Sequence, residues 1–159
     1  MFYEPKNGHP FKIDPYKALV FPRPIGWISS LSKQGIPNLA PYSYFNAVAD
    51  EPPQVMFCSN GDSAYGGFKD SLSNILSTKE FVVNFATSTT RDAMNISSSN
   101  YKPNEDEFVA ARLKKRKSKL VKAPSVNDSP VNLECRLLKT LKLKTNSKKI
   151  STMVIGEVI

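Results

Sequence analysis

The chain has 159 residues, of which 40% are hydrophobic and 23% charged, a composition typical of one globular domain with a buried core. Its formal net charge of +8 suits anionic partners such as phosphates or nucleic acid. The apolar runs are too short to cross a bilayer, and the N-terminus lacks the basic and apolar regions of a secretory signal. We therefore expect a single domain over residues 1–159, a cytoplasmic location and no membrane partner.

The N-terminal third predicts one short helix followed by a β-hairpin. Asp14-Pro15 has the residues that favour a helix start, because Asp caps the free N–H groups and Pro is tolerated in the first turn. Strand formers follow over Ile25 to Leu31, and a polar turn leads into a returning strand over Pro37 to Ala40. Residues 41–46 (PYSYFN) predict a loop of aromatic and polar side chains, the kind of segment that often holds ligands.

The remainder of the chain alternates predicted strands with short helices. Apolar and β-branched runs predict strands over residues 54–58, 81–85, 131–145 and 153–159. Helical spacing or an acidic first turn predicts helices over residues 71–77, 89–98 and 105–113, with Asp70 as the cap of the first. The apolar alternation shifts phase at Leu138, which indicates a bulge or bend. This order favours an antiparallel barrel decorated by helices.

The familiar catalytic and metal-binding arrangements are absent from the sequence. The single histidine, His9, lies in an irregular arm, so a triad with serine or cysteine is not expected. Cys58 and Cys135 form neither a disulfide framework nor a metal motif, and both fall in apolar strands. No Gly-rich nucleotide motif occurs. We therefore predict no catalytic side chain and no metal ligand.

Hydroxyl, amide and cationic side chains recur at the ends of the predicted elements. Ser29 and Ser30 end a strand, and Ser43 and Asn46 flank two aromatic residues. The segment Lys69-Asp70-Ser71 opens a helix, where free backbone N–H groups and the helix dipole favour a phosphate. Considered one at a time, these residues have simpler structural explanations. Ser29 and Ser30 are explained as polar positions of a strand, Asn46 as a turn residue and Asp70 as a helix cap.

Six motifs occur in one order along the chain, and together they are specific. They are RPIGWISS (23–30), NLAPYSYFN (38–46), KDS with NI (69–75), EFVVN (80–84), SPVNLEC (129–135) and IGEV (155–158). This series resembles the flavin reductase-like, FMN-binding split-barrel family over residues 11–159. The resemblance implies a mainly β fold, a six-stranded antiparallel split β-barrel of Greek-key type with short flanking helices. It also implies a homodimer with FMN near the interface.

The resemblance further implies which residues bind the cofactor. Ser29 and Ser30 would contact the ribityl chain or phosphate, residues 43–46 the isoalloxazine ring, and Lys69 and Ser71 the phosphate. Asp70 would cap or orient the site, and Trp27 and Tyr44 are possible neighbours of the ring. The full predicted set is Trp27, Ile28, Ser29, Ser30, Ser43, Tyr44, Phe45, Asn46, Lys69, Asp70 and Ser71.

The family's activity implies hydride transfer from NAD(P)H to flavin and onward to an acceptor. Such chemistry belongs to the cofactor, so it is compatible with the absence of catalytic side chains. Two features depart from the family pattern: Ser71 stands where Thr is usual, and members continue beyond the IGEV motif. We therefore expect a C-terminally truncated domain. A catalytically weak flavin-binding module that lacks its C-terminal cover remains the first alternative.

The second alternative is a basic protein that binds nucleic acid. Arg112 to Lys122 carries seven basic residues and no acid, and residues 139–149 add five lysines. A solvated loop and exposed strand faces explain this pattern at least as well. The run at 112–122 contains no aromatic side chain to stack on a base, so nucleic acid ranks below flavin as a partner.

Overall fold

A computed structural model describes residues 2–146 and 148–159. It contains nine strands in these residues: β1 (Gly26–Leu31), β2 (Pro37–Tyr42), β3 (Phe45–Asp50), β4 (Pro53–Asn60), β5 (Glu80–Asn84), β6 (Lys115–Arg116), β7 (Ser125–Val126), β8 (Asn132–Lys142) and β9 (Ser151–Val158). The α-helices described are α1 (Pro15–Leu19), α2 (Asp70–Thr78), α3 (Arg91–Ile96) and α4 (Glu107–Ala110), and a 3-10 turn spans Pro5–Asn7.

Seven of the strands form one antiparallel sheet, in the order β2-β1-β5-β8-β9-β4-β3. The strands β6 and β7 form a separate two-stranded ribbon. The sheet curls around a core that includes Phe57, Phe81 and Val154, with Ile75 of α2 packed against it. The predicted mainly β, antiparallel fold is confirmed.

The main sheet has seven strands rather than the six that the resemblance implies, and its strand β3 was not recognised in the sequence. Five of its six residues are exposed, so the strand lacks the alternation of buried and exposed positions that marks a half-buried strand. The predicted loop over residues 41–46 is correspondingly shorter. The strand β2 runs through Tyr42, and only Ser43 and Tyr44 lie between β2 and β3.

A second core lies on the opposite face of β1. Successive side chains of a strand point to opposite faces, so Ile28 enters the barrel core while Trp27 points away from it. Trp27 packs with Leu39, Phe108 and Val126, and all four are fully buried. These contacts attach α4 and the segment containing β7 to the outside of the sheet.

Several local predictions are confirmed and others need correction. Asp14 accepts a hydrogen bond from the Tyr16 backbone N–H and caps α1, as predicted. The pairing of β8 with β9 shifts register between Leu137 and Lys139, which confirms the irregularity predicted at this point. By contrast, Lys69 is the N-cap of α2, and Asp70 is its first residue. The helices predicted over 89–98 and 105–113 are shorter, because α3 and α4 have only six and four residues.

Within residues 2–146 and 148–159, none of the helices has both the length and the apolar character needed to span a bilayer.

Candidate functional site

A cavity of about 250 Å³ opens where five segments of the chain meet. These are β2 with the turn after it, the end of β4 and the loop that follows, the start of α2, residues 97–101 after α3, and Glu107 at the start of α4. Ser43 and Tyr44 line one side, and Lys69, Asp70 and Ser71 line another. The structure thus brings together two groups of predicted site residues that are far apart in the sequence.

The start of α2 presents backbone N–H groups and the Lys69 cation to this cavity, beside the carboxyl group of Asp70. The first N–H groups of a helix have no acceptor within it and carry the positive end of the helix dipole. The residues at this end, Lys69 to Ser71, line the cavity, and the helix continues for nine residues. The Lys69 side chain adds a cation at the same end. This arrangement favours a negatively charged group.

Four predicted site residues lie on β1 and are completely buried: Trp27, Ile28, Ser29 and Ser30. Trp27 Nε1 donates a hydrogen bond of 2.9 Å to Ser97 Oγ, and Ser97 lines the cavity. The indole is therefore linked to the cavity through one serine. Ile28 belongs to the barrel core.

The two serines of β1 make hydrogen bonds within the protein. Ser29 Oγ donates to the carbonyl oxygen of Pro124 over 2.6 Å and accepts from Asn84 Nδ2 over 3.0 Å. Ser30 Oγ accepts from Asn74 Nδ2 over 3.1 Å. Both hydroxyls hold neighbouring elements together in this structure, and their contact with a cofactor stays a prediction.

Phe45 and Asn46 lie on β3, beyond the cavity wall described above. Phe45 covers Gly26, and a Cβ atom added at Gly26 would lie only 2.6 Å from Phe45 Cδ2. Phe45 also borders a second cavity, of about 380 Å³, which Arg91 lines as well. Asn46 is exposed, and its Oδ1 accepts from the Ala47 backbone N–H.

The floor of the cavity contains a hydrogen-bonded network that the sequence did not reveal. Asn38 Nδ2 donates to Glu107 Oε1 over 2.7 Å, and the Leu39 backbone N–H donates to Glu107 Oε2 over 3.0 Å. Ser71 Oγ donates to Asn38 Oδ1 over 2.6 Å. The network joins α4, β2 and the first turn of α2. Glu107 was missed because an acid in the first turn of a helix ordinarily indicates a solvated position.

Burial raises the pKa of four groups that line the cavity: Glu107, Asp70, Tyr42 and Cys58. Burial raises the pKa of Glu107 to about 7; its hydrogen bonds oppose this rise, and the nearby charge of Asp70 adds to it. Burial also raises the pKa of Asp70. Tyr42 has its pKa raised by burial to about 12, so its phenol is neutral near pH 7. Glu107 is therefore a carboxyl group of this wall with a pKa near neutral pH.

A family model described as "Flavin reductase like domain" matches residues 18–159. An uncharacterised protein of Aquifex aeolicus (strain VF5) is 47% identical over 123 residues, which cover 77% of this chain and 62% of that protein. The chain thus spans less than two thirds of that relative.

Solved structures show the same fold. Nitrilotriacetate monooxygenase component B from Bacillus cereus is 32% identical and superposes with a TM-score of 0.88, covering 100% of this chain and 79% of that one. A split barrel domain protein from Shewanella frigidimarina NCIMB 400 is 21% identical, with a TM-score of 0.74 and coverage of 86% and 65%. The split-barrel architecture is confirmed, and the chain belongs to the flavin reductase-like domain family.

Proposed function

We propose that the chain binds FMN and acts as a flavin-dependent oxidoreductase that takes hydride from NAD(P)H and passes electrons to an acceptor. One observation carries the proposal. In a member of the flavin reductase-like family, the Ser43-Tyr44 turn and the Lys69-Asp70-Ser71 helix start line the same cavity. Component B of a monooxygenase is among the similar structures, which supports onward transfer to an acceptor.

The residues of the cavity fit a phosphate ester at one end and polyol hydroxyls beyond it. The start of α2 offers backbone N–H groups and the Lys69 cation for the phosphate. Ser43 and Asn60 offer hydroxyl and amide groups for the ribityl chain. The cavity of about 250 Å³ is smaller than the roughly 300–1,000 Å³ of typical small-molecule sites, so it cannot enclose the whole cofactor. We therefore expect the ring to extend along Tyr44 towards Phe45.

When bound, FMN supplies the isoalloxazine ring that accepts and donates hydride. The residues of the chain then bind and orient the cofactor. Lys69 and the backbone N–H groups at the start of α2 hold the phosphate end, while the Ser71 hydroxyl keeps its hydrogen bond to Asn38. Tyr44 lies under the guanidinium of Arg23, which is 5.5 Å from the centroid of its ring, and borders the flavin ring. Trp27, through its bond to Ser97, keeps the segment 97–101 against the cavity.

The proposal extends to the organisation of the protein. We propose a single flavin-binding domain over residues 1–159 that works as a cytoplasmic homodimer, with the site near the interface. The exposed strand β3 at one edge of the sheet supports a partner there, because an edge strand has backbone groups free to pair or pack. We do not propose nucleic acid as a partner of the protein.

Anaerobic titration tests the function directly. The purified protein is reconstituted with FMN, freed of unbound flavin, and mixed with NADH or NADPH while the flavin absorbance is followed. We expect FMN to remain with the protein and to bleach on addition of one of the nicotinamides. Retained flavin that neither nicotinamide bleaches would identify a binding module instead of a reductase. Failure to retain FMN would contradict both.

A further inference from the structure

The cavity that favours a phosphate also contains two carboxyl groups. Asp70 and Glu107 both line it, together with the start of α2. The two acids are close enough for the charge of Asp70 to raise the pKa of Glu107. A phosphate bound in this cavity would add further negative charge beside them, so the ionised form of at least one acid opposes binding.

Glu107 is the acid whose charge is hardest to accommodate. Only 5% of its surface is exposed, so little water screens its charge. Its two oxygen atoms accept from the amide of Asn38 and from the backbone N–H of Leu39, and both donors are neutral. A charge that is desolvated without a cation as its hydrogen-bond donor responds strongly to another charge nearby.

Several other titratable groups line the cavity. They are Tyr42 of β2, Tyr44 in the turn after it, Cys58 of β4, Asp62 in the following loop, Lys69 and Asp70 at α2, and Tyr101 after α3. Of these, Lys69 alone is a cation, and it lies beside the proposed phosphate. Asp70 is half-buried, and therefore keeps more contact with water than Glu107.

We propose that Glu107 takes up one proton when a phosphate ester enters the cavity, so that it determines how tightly the site holds FMN near neutral pH. This rests on the proposed function. The proton comes from solvent and returns to solvent when the ligand leaves; no other bond forms or breaks. Protonation removes the repulsive charge and gives Glu107 a hydroxyl donor.

The affinity for FMN should depend on pH, because FMN binding and protonation of Glu107 are linked. Because burial already raises the pKa of Glu107 to about 7, the free protein holds the carboxylate above that pH and the acid below it. Bound phosphate raises the pKa further. The affinity for FMN therefore falls as pH rises above about 7, by at most about tenfold per pH unit for one linked proton. Riboflavin, which has no phosphate, shows a much smaller dependence.

Calorimetry of the full chain measures the proton directly. FMN is titrated at about pH 7.5, where its phosphate is already a dianion, in two buffers with different ionisation enthalpies. We expect the observed enthalpies to differ by an amount that corresponds to uptake of a substantial fraction of one proton. Equal enthalpies would overturn the inference while leaving FMN binding intact. Absence of FMN binding at any pH would overturn the proposed function as well.

Substitutions test whether Glu107 is the residue that takes up the proton when FMN binds. Glu107→Gln is expected to abolish proton uptake and to bind FMN with an affinity nearly independent of pH. Glu105→Gln, an exposed acid two residues away, is the matched control and should keep the wild-type behaviour. Asp70→Asn should keep most of the proton uptake. Undiminished uptake in Glu107→Gln, or its loss in Asp70→Asn alone, would overturn the assignment. If Glu107→Gln folds poorly, Asp70→Asn still tests the assignment, because loss of proton uptake in that variant would place the proton on Asp70.

Discussion

Ser71 Oγ donates a 2.6 Å hydrogen bond to Asn38 Oδ1, and this contact joins the first turn of α2 to strand β2. Both side chains are buried and line the cavity. Because Asn38 also donates to Glu107, the single bond connects the electropositive start of α2 to the buried acid of α4. The bond helps to fix the helix start against β2, together with the Asn74–Ser30 hydrogen bond and the packing of Ile75 in the core.

Replacing Ser71 by Ala should lower the free energy of unfolding by about 1 kcal/mol, because a buried acceptor on Asn38 loses its shortest partner. Urea denaturation measures the change. Ser73→Ala, at an exposed position of the same helix, is the control and should have little effect. An equal loss in both variants would contradict the role given to the Ser71–Asn38 bond, because Ala is a better helix former than Ser and does not itself destabilise the helix. FMN affinity should also fall in Ser71→Ala and stay unchanged in Ser73→Ala.

Replacing Lys69 by Ala should weaken FMN binding by about tenfold at low ionic strength, equivalent to roughly 1.4 kcal/mol, because one charge-assisted contact to the phosphate is lost. The loss should shrink as salt screens the charge. Fluorescence titration at several salt concentrations gives the affinities. Lys139→Ala, an exposed lysine on β8, should behave like wild type. An unchanged FMN affinity in Lys69→Ala would place the phosphate elsewhere.

Gly156 of β9 is predicted to tolerate no side chain. A Cβ atom there would lie 2.4 Å from Phe81 Cζ, and Phe81 is fully buried in the barrel core. Gly156→Ala should therefore reduce stability by about 1–3 kcal/mol, the usual cost of overpacking. Thermal or urea unfolding tests this. In a double-mutant cycle, Phe81→Leu should relieve part of the cost. If the stability effects of Gly156→Ala and Phe81→Leu were additive, contact with the Phe81 ring would not be the cause of the lost stability.

Glu134 anchors the basic segment to the sheet. Burial acts to raise the pKa of Glu134, but hydrogen bonds from the backbone N–H groups of Lys119, Leu120 and Val121 outweigh it and lower the pKa below its usual value. A lowered pKa means that the stabilisation is present above the pKa of the unfolded chain and is lost as pH falls through the folded value.

We therefore expect Glu134→Gln to be less stable than wild type at neutral pH, with the difference shrinking below about pH 4.5 as the native carboxylate is protonated. Thermal unfolding measured from neutral to acid pH tests this. Glu51→Gln, at an exposed position, serves as the control. A stability difference that stays constant or grows on acidification would contradict the role assigned to Glu134.

Local sequence signals predicted most of the fold. The Asp14 cap, the hairpin that begins after Ile25 and the phase shift at Leu138 are short-range patterns, and each has a counterpart in the structure. The missed strand, Phe45–Asp50, has mostly exposed side chains and is held by backbone pairing with β4, which leaves little trace in the pattern of apolar residues.

The cavity was only partly predictable. Ser43, Tyr44 and Lys69 to Ser71 were identified from a resemblance over several motifs, and the structure places them around one cavity. Asn38 and Glu107 are separated by 69 positions, so nothing local in the sequence pairs them. A long-range polar contact of this kind depends on how α4 docks on β2, which only the folded structure reveals.

A comparison of FMN with riboflavin tests the central claim most directly, because the two ligands differ only in the phosphate. Equilibrium titration of the protein with each ligand at low salt, followed by flavin fluorescence, gives both affinities. A phosphate held at Lys69 and the start of α2 predicts that FMN binds at least about tenfold more tightly than riboflavin, and that Lys69→Ala reduces this preference. Equal affinities for the two flavins, or binding of neither, would contradict it.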